Sequence, residues 1–156
     1  MDSTSIKAQR TACSLKLREG VARLIGSSRG GRNTKLHATC DAEGRLCDIL
    51  LTRGEASDYK ADVLLRRLPK GVEWFLADGG YDGNWVRKLL KSMRITPVIP
   101  GRSSRKKTIR YNKEFYKQRN KIERAFAKLK DWRRIDHRYD RCPEIFLSAC
   151  AFVAIV

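Results

Sequence analysis

The chain has 156 residues, 42% of them hydrophobic, enough for one domain with a buried core. Thirty-four Lys and Arg against seventeen Asp and Glu give a formal net charge of +17 and a pI near 10.1, which speaks against an ordinary metabolic enzyme and for a polyanionic partner. Five cysteines, odd in number and without a C-x-x-C pair, suggest neither a disulfide framework nor a zinc knuckle and fit a reducing cytoplasm, and the longest apolar run, Ile145 to Val156, is short for a membrane span.

The first thirty residues are polar and read as irregular, with a short helix and a Gly/Ser/Arg stretch, GSSRGGRN, so a flexible basic segment is expected around 14–33. TKLHATC and RLCDILLT are rich in β-formers, and Asp41-Ala42-Glu43-Gly44 joins them as an antiparallel hairpin. Asp58 is placed to cap a helix over DYKADVLLRRL, where Ala61, Leu64, Leu65 and Leu68 recur at helical spacing and which Pro69 and Gly71 end. VEWFLAD is a short apolar strand ending on Asp78. Gly79-Gly80 turns the chain, NWVRKLLKSM is a second helix capped by Asp82, and RITPVIP is a strand limited by Pro97 and Pro100. Strand and helix alternate as in an α/β sheet with crossover connections, which needs one more strand before the hairpin as its central member.

A basic loop, GRSSRKKTIRYN, leads into the longest helical stretch, residues 113–134. From Gly101 to Arg141 there are sixteen basic and five acidic residues, so the polyanion contact is expected there. The basic residues are not confined to one amphipathic stripe and flank no span, which favours nucleic acid over a membrane surface. On a wheel of about 100° per residue, Phe115, Ile122, Ala125, Phe126 and Leu129 form a stripe facing the sheet, with Lys117, Lys121, Arg124 and Lys128 roughly opposite. Tyr116, Arg119, Glu123 and Lys130 lie between the two faces.

A lone Glu123 bracketed by cations at the border of the core is where a carboxylate is held ionised and oriented, as a metal ligand must be. The same pattern describes an ordinary surface Arg119–Glu123 pair worth about 0.3 kcal/mol. Asp78 sits at the end of a strand before a Gly-Gly turn, where α/β sheets bind ligands, but it also suits an Asx-type turn. His37 and His137 read as structural, and Trp74, Trp85 and Trp132 as core.

Tyr116, Arg119, Glu123 and Lys130 spell Y-x2-R-x3-E-x6-K, which resembles the signature of DDE transposases of bacterial insertion sequences of the insertion-sequence-four and insertion-sequence-five type. MDSTSIKAQR, SRGGRNTKLHATCDAEG, LLTRGEASD, LADGGYD, VIPGRSSRK and WRRIDHRYD resemble successive blocks of the insertion-sequence-five group, over nearly the whole chain.

The resemblance implies one catalytic domain over 1–156 with an α/β, ribonuclease H-like mixed sheet flanked by helices. It implies Asp2, Asp78 and Glu123 as catalytic carboxylates holding Mg²⁺ or Mn²⁺, two ions in all, since hard oxygen donors suit these cations. The implied activity is metal-dependent cleavage and strand transfer of DNA. Tyr116, Arg119 and Lys130 would contact DNA phosphates near the scissile bond, with Arg29, Arg32, Arg105 and Lys106 as further backbone contacts. Double-stranded DNA, at transposon ends and target, is the implied partner. A homo-oligomer in the DNA complex, a nucleoid-associated cytoplasmic location and no membrane are expected with it. Relatives carry a DNA-binding region before the first Asp. Here that region and much of the first strand are expected to be missing, which makes an upstream-frame polypeptide a candidate partner and a catalytically inactive DNA-binding remnant the alternative reading.

Overall fold

The computed structural model describes residues 1–14, 23–58 and 62–155. In chain order they form β1 (Asp2–Ala8), α1 (Arg10–Cys13), β2 (Gly26–Ser28), β3 (Gly31–Cys40), β4 (Leu46–Arg53), α2 (Asp62–Arg66), β5 (Trp74–Leu76), α3 (Asn84–Ser92), β6 (Thr96–Val98), α4 (Lys113–Tyr116), α5 (Asn120–Lys130), α6 (Arg133–Asp136), β7 (His137–Arg138) and α7 (Pro143–Ile155). The fold is mixed α/β, as the alternation of elements indicates.

Among the described residues, five strands form one sheet. Antiparallel β3 lies between β1 and β4, β2 pairs with the start of β3, and β7 runs parallel to the end of β1. Parallel β5 and β6 form a second, two-stranded sheet. The last residue of β5 lies beside the start of β1, because the Met1 ammonium donates to the Leu76 carbonyl at 2.7 Å.

The strand missing from the sequence reading is Asp2–Ala8 itself. Its seven residues look polar, but Ile6 is fully buried, and pairing from Asp2↔Ala38 to Lys7↔Asn33 satisfies the backbone. The expectation of an irregular opening and a largely absent first strand is therefore corrected. GSSRGGRN is not a loop either: Gly26–Ser28 folds back on Gly31–Asn33 as a tight hairpin, and Gly31 takes the positive φ (+89°) that such a turn requires. The part of the expected flexible segment at 15–22 lies outside the described residues.

The strand period sorts the sheet into two faces. Ile6, Leu36, Ala38 and Leu51 point one way and pack with Ile122, Phe126 and Leu129 of α5 and with Phe146 and Cys150 of α7. A second cluster joins Leu64 and Leu65 of α2, Phe75, Tyr81, and Val86 and Leu90 of α3, with Leu50 packed against it from β4. Each large apolar side chain of α5 that is buried contributes about 2 kcal/mol, several times a surface ion pair. The apolar stripe therefore fixes the rotation of α5, and the facing of Arg119 and Glu123 follows from it.

Two further expectations change. The single helix over 113–134 is divided into α4, a 3-10 turn at Lys117–Arg119, α5 and α6. Tyr116 and Arg119 keep right-handed helical backbone angles, which is why the wheel still groups the signature residues. Trp74, Trp85 and Trp132 are not core: they are 44%, 39% and 49% exposed. Among the described residues no helix is long and apolar enough to cross a membrane.

Candidate active site

Asp2 is the first residue of β1, and the Met1–Leu76 bond holds that end of the strand beside β5, two residues before Asp78. Asp78 caps the 3-10 turn Gly79–Tyr81, its Oδ1 accepting from the Gly80 amide at 2.8 Å. The Asx-type role and the strand-end position thus coexist. Glu123 lies in the first turn of α5.

Arg119 joins two of the three carboxylates. Its Nη1 donates to Asp2 Oδ2 at 2.5 Å and its Nη2 donates to Glu123 Oε1. The Asp2 side chain is 14% exposed and that of Glu123 51%. Burial pushes the Asp2 carboxyl above its ordinary range and the charge of Asp78 adds to this, against the Ser3 amide and Arg119, which favour the ionised form.

Tyr116 lies beneath the same guanidinium, 5.7 Å from ring centroid to Arg119 Cζ, and its ring meets Tyr111 edge-on at 5.4 Å. Lys130, about 10 Å further along the helix than Glu123, donates from Nζ to the Ser5 carbonyl at 3.0 Å. Helix α5 therefore runs beside β1 in the same direction, with Arg119 at Asp2 and Lys130 at Ser5.

A family model described as the transposase DDE domain matches residues 1–156. The chain belongs to that family. It is also similar to a candidate transposase for insertion sequence element IS6501 from Brucella ovis, 36% identical over 126 residues, covering 77% of this chain and 96% of the relative. No solved structure matches. Membership of the transposase DDE domain family assigns the chain to transposition, with DNA as substrate, in accord with its charge of +17.

The three carboxylates expected from the sequence, Asp2, Asp78 and Glu123, are hard oxygen donors of the type that suits a divalent cation, and Asp2 is desolvated and near the charge of Asp78. Among the described residues, however, no three His, Cys, Asp or Glu side chains stand close enough to hold an ion directly. The cationic place between Asp2 and Glu123 is taken by the Arg119 guanidinium.

The remaining basic residues divide. Arg29 and Arg32 belong to the β2–β3 hairpin, and the register puts Arg32 beyond Asn33, at the end of β1 remote from Asp2, about 17 Å along the strand. Arg105 is engaged within the domain: it donates to both oxygens of Asp82 and to Asn84 Oδ1 (2.8 Å). Asp82 does not cap α3, whose N-cap is Gly83. Its wholly buried carboxylate also accepts from Arg87 Nε (2.8 Å) and the Arg102 amide (2.9 Å). Burial pushes its pKa up, but the bonds from Arg105, Arg102 and Arg87 outweigh this and hold it at about 2. This hub fastens the 101–107 loop over the turn that follows Asp78, since Arg102 Nε also donates to the Gly79 carbonyl at 3.0 Å. Lys106, next to Arg105, stays exposed.

The sequence reading treated Asp58 as a helix cap and missed its place beside the site. Asp58 Oδ1 accepts from Ser3 Oγ (3.0 Å) and from Lys35 Nζ (3.2 Å). Nearby His37 is fully buried, with Nδ1 3.3 Å from the Tyr81 hydroxyl and Nε2 2.8 Å from Thr52 Oγ1. Burial lowers its pKa to about 4, so it is a neutral, structural imidazole. The strand period puts Lys35 and His37 on one face, and the pairing register, which no local pattern gives, adds Ser3 and Thr52 to that face, opposite Ile6, Leu36 and Leu51.

Proposed function

We propose that the chain is a DDE transposase that cleaves and transfers DNA strands, with Asp2, Asp78 and Glu123 as the carboxylates of its catalytic centre. One observation carries this reading: Asp2, Arg119 and Glu123, from opposite ends of the chain, meet at the strand edge next to Asp78. We further infer a ribonuclease H-like arrangement. In its support, Asp2 lies on the strand between β3 and β7, Asp78 follows β5 of the two-stranded sheet, whose last residue bonds Met1 next to Asp2, and Glu123 lies on a helix packed on the larger sheet.

Asp2, Asp78 and Glu123 would hold Mg²⁺ or Mn²⁺, whose chemistry when bound is activation of an oxygen nucleophile and stabilisation of the leaving oxygen. The rest falls to the chain's own groups. Arg119, stacked on Tyr116, offers a planar fork that suits a phosphate bidentately once it leaves the carboxylates. Lys130 supplies a point charge about three helical turns beyond Arg119 on the same side of the helix. Exposed Lys106 and the loop held by Asp82 add sequence-independent phosphate contacts.

The test is nicking of a duplex carrying the element's terminal repeat, with Mn²⁺, by wild type and Asp78→Ala. Metal-dependent nicking by wild type alone supports the reading. A second reading, a protein that binds DNA without cutting it, draws on the Arg119 bridge between Asp2 and Glu123. Salt-sensitive duplex binding with no nicking by either chain would favour it.

A further inference from the structure

We propose that Asp58 is a positioning residue that fixes the separation of Asp2 and Asp78. The proposal rests on reading those two carboxylates as cation-holding.

Three contacts carry it. Asp58 Oδ1 accepts from Ser3 Oγ at 3.0 Å, and Ser3 is the neighbour of Asp2 on β1. The same oxygen accepts from Lys35 Nζ at 3.2 Å, while Lys35 also donates to the Ala56 carbonyl at 3.0 Å, which ties the 54–58 segment to β3. The other oxygen faces the turn after β5: a Cβ on Gly80 would stand 2.8 Å from Asp58 Oδ2 and 2.8 Å from Asp78 Oδ1. Asp58 therefore touches the strand that carries Asp2 and abuts the turn that carries Asp78, with only a glycine between the two carboxylates.

Each feature has a physical consequence. Ser3 and Asp2 point to opposite faces of β1, so a bond at Ser3 restrains the strand without occupying the face on which Asp2 meets Arg119. Lys35 balances the Asp58 charge, with side chains 18% and 23% exposed, so that a further carboxylate can stand near Asp78. The absence of a side chain at residue 80 lets Asp78 accept from the Gly80 amide while Asp58 closes on the same turn. A methyl group there must displace one carboxylate or both, since 2.8 Å is shorter than real Cβ contacts allow.

The experiment measures Mn²⁺ binding to the full chain by isothermal titration calorimetry. It compares wild type, Asp58→Ala, Asp58→Asn, Gly80→Ala and Asp78→Ala. Thermal midpoints and duplex affinity in EDTA are recorded for each. Asp58→Ala is expected to weaken Mn²⁺ binding about tenfold or more, as loss of a group orienting a ligand does. Asp58→Asn, which keeps an acceptor for Ser3, should lose less, and Gly80→Ala should resemble Asp58→Ala. Duplex affinity in EDTA should stay at the wild-type value. Wild-type Mn²⁺ affinity in Asp58→Ala and Gly80→Ala, with Asp78→Ala impaired, overturns the role of Asp58 alone. Parallel loss of duplex affinity and thermal midpoint in both variants also overturns it, since that marks a general scaffold residue. Equal Mn²⁺ binding by wild type and Asp78→Ala overturns the cation-holding reading and the Asp58 proposal with it.

Discussion

Arg119 donates to Asp2 across 2.5 Å of space and 117 positions of sequence, and the same guanidinium reaches Glu123 one helical turn away. The contact with Glu123 is exposed on one side and worth little. The contact with Asp2 is between side chains 20% and 14% exposed, and a charge-assisted bond of that kind contributes about 2 kcal/mol. Arg119→Gln should therefore lower the thermal midpoint in EDTA by about 5 °C. Because the guanidinium and a cation compete for the same oxygens, Mn²⁺ should raise the midpoint of the variant more than that of wild type. Equal Mn²⁺-induced shifts in the two chains contradict this competition.

Asp82 is the hub of the loop that follows β6. Its carboxylate is wholly buried and bonded to Arg87, Arg105 and the Arg102 amide. Removing its charge leaves the part-buried guanidinium groups of Arg87 and Arg105 without their counter-charge, so Asp82→Asn should cost about 3 kcal/mol in urea unfolding. Amide exchange across residues 101–107 should quicken more than exchange in β3.

Arg105 and Lys106 are neighbours with different duties. Lys106→Ala should leave stability unchanged and reduce the slope of log affinity for duplex DNA against log salt by about 0.9, the loss of one phosphate contact. Arg105→Ala should instead lower stability and change the salt slope less. Equal slopes for Lys106→Ala and wild type, measured by fluorescence anisotropy over a range of salt, contradict a phosphate contact at Lys106.

His37 predicts an acid sensitivity. Its pKa falls from 6.5 in the unfolded chain to about 4 in the fold. The unfolded state therefore binds the proton more readily between those values. The stability from a neutral His37 is complete above pH 6.5 and is lost as pH falls towards 4. Between pH 7 and pH 5 the loss is about 2 kcal/mol. Urea unfolding at the two pH values should show this excess in wild type over His37→Gln, and an equal pH dependence in both chains would contradict it.

How far the sequence carried the reading differs from residue to residue. The hairpin of β3 and β4 and the helix α3 were legible because their periodicity and turn residues agree with their packing. Asp2–Ala8 was not, because polar Ser and Thr conceal a strand whose partners are supplied from 25 or more residues away. The helical face of Tyr116, Arg119 and Glu123 was legible from spacing. That Arg119 closes on Asp2 was not, since no local pattern links the first strand to a helix near the other end. The bonds of Asp58 to Ser3 and Lys35 were not legible for a related reason: both partners are distant in sequence, and the cap role expected of Asp58 falls on residues 59–61, outside the described residues. The exposed tryptophans show that residue type alone does not decide burial in a chain with this much charge.

The claim that Asp78 holds a catalytic cation is tested most directly by exchanging the hard oxygen donor for a softer one. Terminal-repeat DNA cleavage by wild type and Asp78→Cys is measured in Mg²⁺ and in Mn²⁺, the latter accepting a thiolate more readily. Wild type should cleave in both metals, and Asp78→Cys should fail in Mg²⁺ and recover in Mn²⁺. Cleavage in Mg²⁺ by Asp78→Cys at the wild-type rate would contradict a metal-holding role for Asp78.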